Sequence, residues 1–259
     1  MKIRQKLDEL GIKPTEGQHF LESEAVIQAL VESGEADGKH VLEIGGGTGS
    51  ITLEILEKTA DLTVVEKDTT MANHLEKEFP EAEVLKQDFL DLEMKGYERC
   101  ISNIPFQLSG DILQRLGEAQ IQSSLIVQEE LADKIVAEPG SGKYSEMSVR
   151  MSYYFIPVKL QKVPKSSFYP EPEVDAAILK LYPNRDRHGV EDEERFFRIV
   201  KALFTQQRKK VRNAFVDARH ILEMGKEEAK KVRDDLPHSE RRVNELEVIE
   251  FRDIAEFVG

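Results

Sequence analysis

Five short apolar segments alternate with helical stretches between residues 40 and 128, and no feature of the chain constrains its fold more tightly. "HVLEIG" (40–45), "LTVVEKD" (62–68), "AEVLKQD" (82–88), "RCISN" (99–103) and "SSLIVQ" (123–128) have the length and bounding residues of buried strands. "SITLEILEKT", "TMANHLEKEF", "GDILQRLGEA" and "EELADKIVAE" follow at helical spacing, and "ESEAVIQALVES" (22–33) precedes the series with Gly34 as its stop. Strands and helices in this rhythm predict an α/β fold with a doubly wound parallel sheet. "SVRMSYYFIPVKLQKV" and "DAAILKLYP" read as late strands with no helix between them, which predicts antiparallel pairing at the sheet edge. Beyond Tyr182 the pattern turns polar, then helical through "ERFFRIVKALFTQQRKKVRNAF". Two domains are expected, an α/β domain over 1–184 and a small α-helical domain over 185–259.

The first strand runs into "GGGTGS". Gly45, Gly47 and Gly49 let backbone approach a ligand at the carboxyl edge of the sheet, with Glu43 just before them. A dinucleotide fingerprint needs glycine at position 50, where Ser50 stands, so the loop suits a cofactor without a pyrophosphate. Glu66 ends the second strand, where a carboxylate can accept both hydroxyls of a ribose. Asp88 ends the third and can accept from an adenine amino group. A glycine cluster alone is often a tight turn. Three successive strand ends carrying suitable groups point instead to an adenosine-type cofactor.

Charge sets the expected partner. The net charge of −13 lies wholly in residues 1–182, with 19 Lys/Arg against 32 Asp/Glu, whereas 183–259 hold 17 of each. Within this balance, Arg195–Val216 has seven basic residues and Met147–Pro170 four, neither with an acid. Lys162, Lys165, Arg208, Lys209, Lys210 and Arg212 are therefore the candidate RNA contacts. The single cysteine, Cys100, cannot form an internal disulfide, and the six histidines lack ligand spacing. No apolar run approaches a membrane span and the N-terminus lacks an h-region. A cytoplasmic, monomeric enzyme without metal or membrane attachment is expected.

The acid–glycine loop followed by a strand-end carboxylate resembles the class I S-adenosylmethionine-dependent methyltransferases. That resemblance implies S-adenosylmethionine as cofactor, with Glu43 supporting the loop near its methionine end and Glu66 on its ribose. It also gives meaning to "SNIPF" (102–106), at the end of the fourth strand. An adenine N6 amine is a poor nucleophile because its lone pair is delocalised into the ring. Two acceptors, the Asn103 side-chain oxygen and a backbone carbonyl near Ile104, can draw the nitrogen towards tetrahedral geometry. Pro105 fixes the local backbone, and Phe106 offers a π-face to an extruded base.

"GQHFL", "VLEIGGGTGSIT", "TVVEKD", "KQDFLDL", "SNIPFQLS", "LIVQEELADKI" and "VPKSSFYPEPEVDAAIL" occur in the order found in the ribosomal RNA small-subunit adenine N6-dimethyltransferase family, which the chain resembles from about residue 11 to 182. "FTQQRKKVRNAF" resembles that family's C-terminal helical region. The resemblance implies that His19 and Leu21 line the cofactor site and that Phe168 forms a second aromatic wall facing Phe106. The implied substrate is a pair of adjacent adenosines in a hairpin near the 3′ end of small-subunit rRNA, each dimethylated within a pre-ribosomal particle. Two departures from the family stand out. Gly46 replaces the usual proline, which is expected to loosen the loop, and Thr15–Glu16 replace a basic or apolar pair, which weighs against an RNA contact there. Macrolide-resistance enzymes, acting on an adenine of large-subunit rRNA, are the nearest alternative; "GQHFL" and "EPEVDAAI" favour the small-subunit reading. A non-catalytic binding protein on the same fold is the other, opposed by chemically competent Gly45, Glu66, Asp88 and Asn103.

Overall fold

A computed structural model describes residues 3–15 and 17–259, so Glu16 lies outside the described residues. In chain order the elements are α1 (Ile3–Leu10), β1 (Phe20–Leu21), α2 (Glu24–Gly34), β2 (Val41–Ile44), α3 (Ser50–Leu56), β3 (Leu62–Val65), α4 (Thr69–Glu78), β4 (Glu83–Leu85), β5 (Arg99–Asn103), α5 (Ser109–Glu118), β6 (Gln122–Gln128) and α6 (Glu129–Ile135). There follow α7 (Glu146–Tyr154), β7 (Phe155–Val163), β8 (Phe168–Tyr169), β9 (Ala176–Pro183), α8 (Glu193–Phe204), α9 (Val211–Asp217), α10 (Lys226–Val232) and α11 (Val248–Val258). Among the described residues no helix is long and apolar enough to cross a membrane.

The chain forms two compact units, 1–132 with 157–183, and 133–156 with 184–259. In the first, seven strands lie in the order β4-β3-β2-β5-β6-β9-β7. β4, β3, β2, β5 and β6 pair in parallel, as the alternating pattern predicts. β9 runs antiparallel to β6, with Leu125 opposite Leu179 and Ile126 opposite Ile178. β2 and β3 are buried at every position, because helices cover both faces of a parallel sheet. The order reverses between β2 and β5. A crevice opens outside the carboxyl ends of strands at such a switch point, where the glycine loop and "SNIPF" both begin.

The second unit corrects the sequence reading, which placed 133–156 in the first domain. "SVRMSYY" is also no strand: it lies in α7, at whose start the Ser145 N–H donates to Ser148 Oγ at 3.0 Å. Aromatic packing draws this segment away from the sheet. Tyr153 stacks on Phe196 (centroids 5.3 Å apart) and meets Phe197 edge-on at 5.0 Å. Tyr153 and Tyr154 both donate their hydroxyls to Glu193, at 3.0 and 2.7 Å. Tyr144 packs on Phe204 and donates to the Leu246 carbonyl at 2.7 Å. Propensity for strand yields to this burial of three rings.

The helix expected to continue through Arg212 ends instead at Phe204. Residues 205–210 form turns, because their backbone pairs with 239–244. Val211 N–H donates to Arg241 O (2.9 Å), Val243 N–H to Lys209 O (3.1 Å) and Asn244 N–H to Gln207 O (2.9 Å). Arg208 therefore sits in a turn, off the helix that carries Arg212.

Candidate active site at the sheet switch point

A cavity of about 260 Å³ opens in the first unit at the carboxyl ends of β2, β3 and β5. Its walls bring together His19, Leu21, Gly45, Gly47, Glu66, Asp88, Asn103, Ile104, Pro105 and Phe106 from five separate stretches of the chain. Gln18, Phe20, Lys67, Met71 and Gln87 also line it, and the sequence did not single them out. Lys67 and Gln87 had a signal, since each adjoins a chosen strand-end acid.

Glu66 is buried and accepts two backbone N–H groups, from Gly47 to Oε2 at 3.0 Å and from Asp68 to Oε1 at 2.9 Å. Burial raises its carboxyl above the ordinary range, and those N–H groups oppose the shift. Each oxygen keeps a second lone pair, so the carboxylate is oriented and still able to accept two hydroxyls. Gly47 adopts φ +54°, which favours glycine, and a Cβ there would crowd the Phe20 ring at 3.1 Å. At Gly46, where a looser loop is expected, the loop backbone packs closely on the core. A Cβ there would lie 2.5 Å from Val64 Cγ1 and 2.8 Å from Leu75 Cδ1, so bare backbone is pressed onto the core.

Asp88 accepts from Leu90 N–H at 3.0 Å and pairs with Lys67 Nζ at 2.6 Å. The Lys67 ammonium, with the Leu90 N–H, holds its carboxyl below the ordinary range. Asn103 ends β5 with its Nδ2 donating to the His19 carbonyl at 2.8 Å. Its Oδ1 is buried with no hydrogen-bond partner among the described residues. A polar atom so placed costs about 1–3 kcal/mol unless a ligand satisfies it. Together with the oriented Glu66 and the glycine loop, this orphan acceptor fits an adenosine-type cofactor with a hydrogen-bond donor beside it.

Two predicted residues stand elsewhere. Glu43 does not line the cavity; it lies fully buried beneath the loop, accepting from the Thr52 hydroxyl at 2.6 Å. Burial pushes its carboxyl up to about 8, so it supports the loop from behind as a neutral acid at pH 7. Phe168 is also no cavity wall: only 3% exposed, it belongs to the core that Phe106 packs against, because β8 pairs with β1 and turns it inward. Cys100 is fully buried, and burial pushes its thiol up, away from reactivity.

Five of the six predicted cations stand in ion pairs. Lys162 sits between Glu129 (2.9 Å) and Asp175 (2.7 Å), and Lys165 pairs with Glu171 at 3.1 Å. In the second unit Lys209 pairs with Asp217 at 2.7 Å, while Glu240 takes both Lys210 and Arg212. The Arg208 carbonyl accepts from Arg242 at 2.6 Å, an arginine that the sequence reading passed over.

Known proteins resemble this chain along nearly its whole length. A probable ribosomal RNA small subunit methyltransferase A from Haloquadratum walsbyi is 34% identical over 252 residues, 93% of this chain and 84% of its own. The crystal structure of a dimethyladenosine transferase from Plasmodium falciparum superposes with a TM-score of 0.82 at 22% identity, over 92% of this chain and 97% of that one. The 23S rRNA methyltransferase ErmE shares the fold at a TM-score of 0.68 and 23% identity, over 92% and 98%. Residues 10–258 match the family model described as ribosomal RNA adenine dimethylase, and the chain belongs to that family.

Proposed function

We propose that this chain dimethylates the N6 amines of two adjacent adenosines in a hairpin near the 3′ end of small-subunit rRNA, using S-adenosylmethionine. The match of residues 10–258 to the dimethylase family carries the reaction class. The unsatisfied, buried Asn103 Oδ1 at the end of β5 is the observation that ties it to this site. When bound, the cofactor supplies a methyl group activated by its sulfonium.

Glu66 holds the ribose hydroxyls, and the loop at Gly45–Gly47 lies along the cofactor. Asp88, steadied by Lys67, accepts from the adenine amine of the cofactor. The target adenine stacks on Phe106, a contact worth roughly 1–3 kcal/mol. Asn103 Oδ1 and the Ile104 carbonyl accept hydrogen bonds from its N6–H groups, which localises the nitrogen lone pair for attack. The rest is orientation, since in-line placement of a nucleophile can supply several powers of ten in rate. No strong base is needed: the alkylated nitrogen is cationic and acidic, and its proton passes to solvent.

The second unit is proposed as the RNA-binding body, acting on a pre-ribosomal particle, with the enzyme working as a cytoplasmic monomer. Its ion pairs support a selective rather than adhesive surface, since phosphates must displace Glu240 and Asp217 to reach the basic residues. The test is to incubate the protein with labelled cofactor and under-methylated small or large subunits, then map N6-dimethyladenosine. Label confined to the small-subunit hairpin is expected. Label in large-subunit rRNA alone, or in neither, overturns the proposal.

A further inference from the structure

An asparagine amide can sit in either of two orientations related by a half-turn, and only one leaves the oxygen where a donor can reach it. In Asn103 the choice is made by the backbone of residue 19. A carbonyl can only accept, so the group facing His19 O at 2.8 Å is the NH2, which leaves Oδ1 on the other side. What holds that carbonyl in place is therefore part of the catalytic geometry.

Several independent contacts hold it. His19 Nδ1 lies 2.8 Å from the Pro170 carbonyl, again an acceptor only, so Nδ1 carries the proton and donates. The His19 ring leans over Phe106, centroids 6.0 Å apart and planes at 35°. The Gln107 side chain packs on the bare Cα of Gly17, in the space a Cβ would take. Beyond His19, Phe20 and Leu21 pair with Tyr169 and Phe168, and Glu22 N–H donates to Ser167 O at 2.8 Å. Residues 17–22 thus clasp "NIPFQ" on one side and 167–170 on the other.

We infer that His19 is a positioning residue for methyl transfer: its tether to Pro170 fixes the carbonyl that orients the Asn103 amide and fixes the ring that backs Phe106. This rests on the proposed roles of Asn103 and Phe106 and goes beyond a place for His19 in the cofactor wall. It separates two consequences. Loss of a cofactor contact weakens cofactor binding, whereas loss of the tether slows transfer with binding nearly intact.

The test uses the full chain and two substitutions. His19→Ala removes the tether; His19→Asn retains it, since the asparagine Nδ2 stands where the imidazole Nδ1 stood and can donate to Pro170. Single-turnover methylation of under-methylated small subunits at saturating cofactor should fall roughly 10–100-fold in His19→Ala, the scale of an ångström of misplacement. Affinity for S-adenosylhomocysteine, by calorimetry, should change less than about threefold, and His19→Asn should recover most of the rate. A readout free of activity comes from the Asn103 side-chain amide, one of only five asparagine pairs in a selectively 15N-labelled spectrum. Its hydrogen-bonded proton should exchange faster in His19→Ala and be protected again in His19→Asn. Wild-type transfer by His19→Ala would overturn the inference, as would a rate loss matched by an equal loss of affinity, or unchanged exchange at Asn103. Asn103→Ala separates the two levels: if it is inactive while His19→Ala is normal, only the positioning role fails, whereas an active Asn103→Ala removes the reading on which it rests.

Discussion

Replacing Glu66 by glutamine exchanges one carboxylate oxygen for an NH2 group and changes little in size. In the folded protein each oxygen already receives a backbone N–H, at 3.0 and 2.9 Å. Glutamine can accept one of these, and its NH2 then confronts the other. Losing one hydrogen bond to a charged acceptor costs about 1.5–3 kcal/mol. Part of this is offset, because burial disfavours the charge in the wild type and the amide carries none. Cofactor binding lacks that offset. Two ribose hydroxyls on the carboxylate become one on the amide, a loss of about 1.5–3 kcal/mol, or roughly 10–150-fold in affinity. Glu66→Ala loses both and should bind more weakly still. The sign with pH also follows: the carboxyl is raised, so wild-type affinity should fall as pH drops through that raised value, and Glu66→Gln should show no such decline. Calorimetry with S-adenosylhomocysteine over a pH series, on variants whose unfolding remains cooperative, reads both quantities. Binding by Glu66→Gln within threefold of wild type would remove Glu66 from the ribose.

Asn103→Ala should lower single-turnover transfer by roughly 10²–10³-fold, the usual loss for one preorganised polar group, with RNA affinity nearly intact; a near-normal rate contradicts its role. Gly46→Ala should lose about 1–3 kcal/mol by forcing a methyl against Val64 and Leu75, seen as a lower urea midpoint. Glu43 keeps its proton up to about 8 when folded but loses it near 4.5 when unfolded, so wild-type stability should decline as pH rises through that window. Glu43→Gln removes this slope, and parallel pH profiles for the two proteins would refute the assignment. Neutralising Arg208, Lys209 and Arg212 should flatten the salt dependence of subunit binding by roughly 0.7–0.9 in log–log slope per lost phosphate contact. Glu240→Gln, which frees Lys210 and Arg212, should tighten binding at low salt; no change in either variant would mark these charges as solvated surface.

The sheet was legible because its strands satisfy a local rule. "RCISN" matches β5 residue for residue, and Glu66, Asp88 and Asn103 fall on the cavity because the switch point gathers the carboxyl edges of their strands there. What escaped the sequence depends on distant partners. "SVRMSYYF" is rich in strand formers, and the burial of Tyr153 against Phe196 and Phe197 makes all of it but Phe155 helical. "TQQRKK" is made largely of good helix formers, yet the 239–244 backbone opens it into turns. Glu43 shows the limit at the site itself. A strand-end acid beside a glycine loop can face the ligand or the core, and the Thr52 hydroxyl nine residues on draws it inward.

The second unit is assembled from two stretches of chain separated by the strands from residue 157 to 183. During synthesis Tyr144, Tyr153 and Tyr154 leave the ribosome well before Phe196, Phe204 and Phe251, an interval on the order of several seconds. For that time three aromatic rings have no permanent shelter, and closing the intervening loop must precede any reward from their packing. A chain stopped near residue 184 would keep the whole cavity-forming sequence and still expose those rings. The boundary that looks like a clean cut in sequence is thus a poor place to shorten the protein, and the late helices act as the partner on which an earlier part of the chain depends.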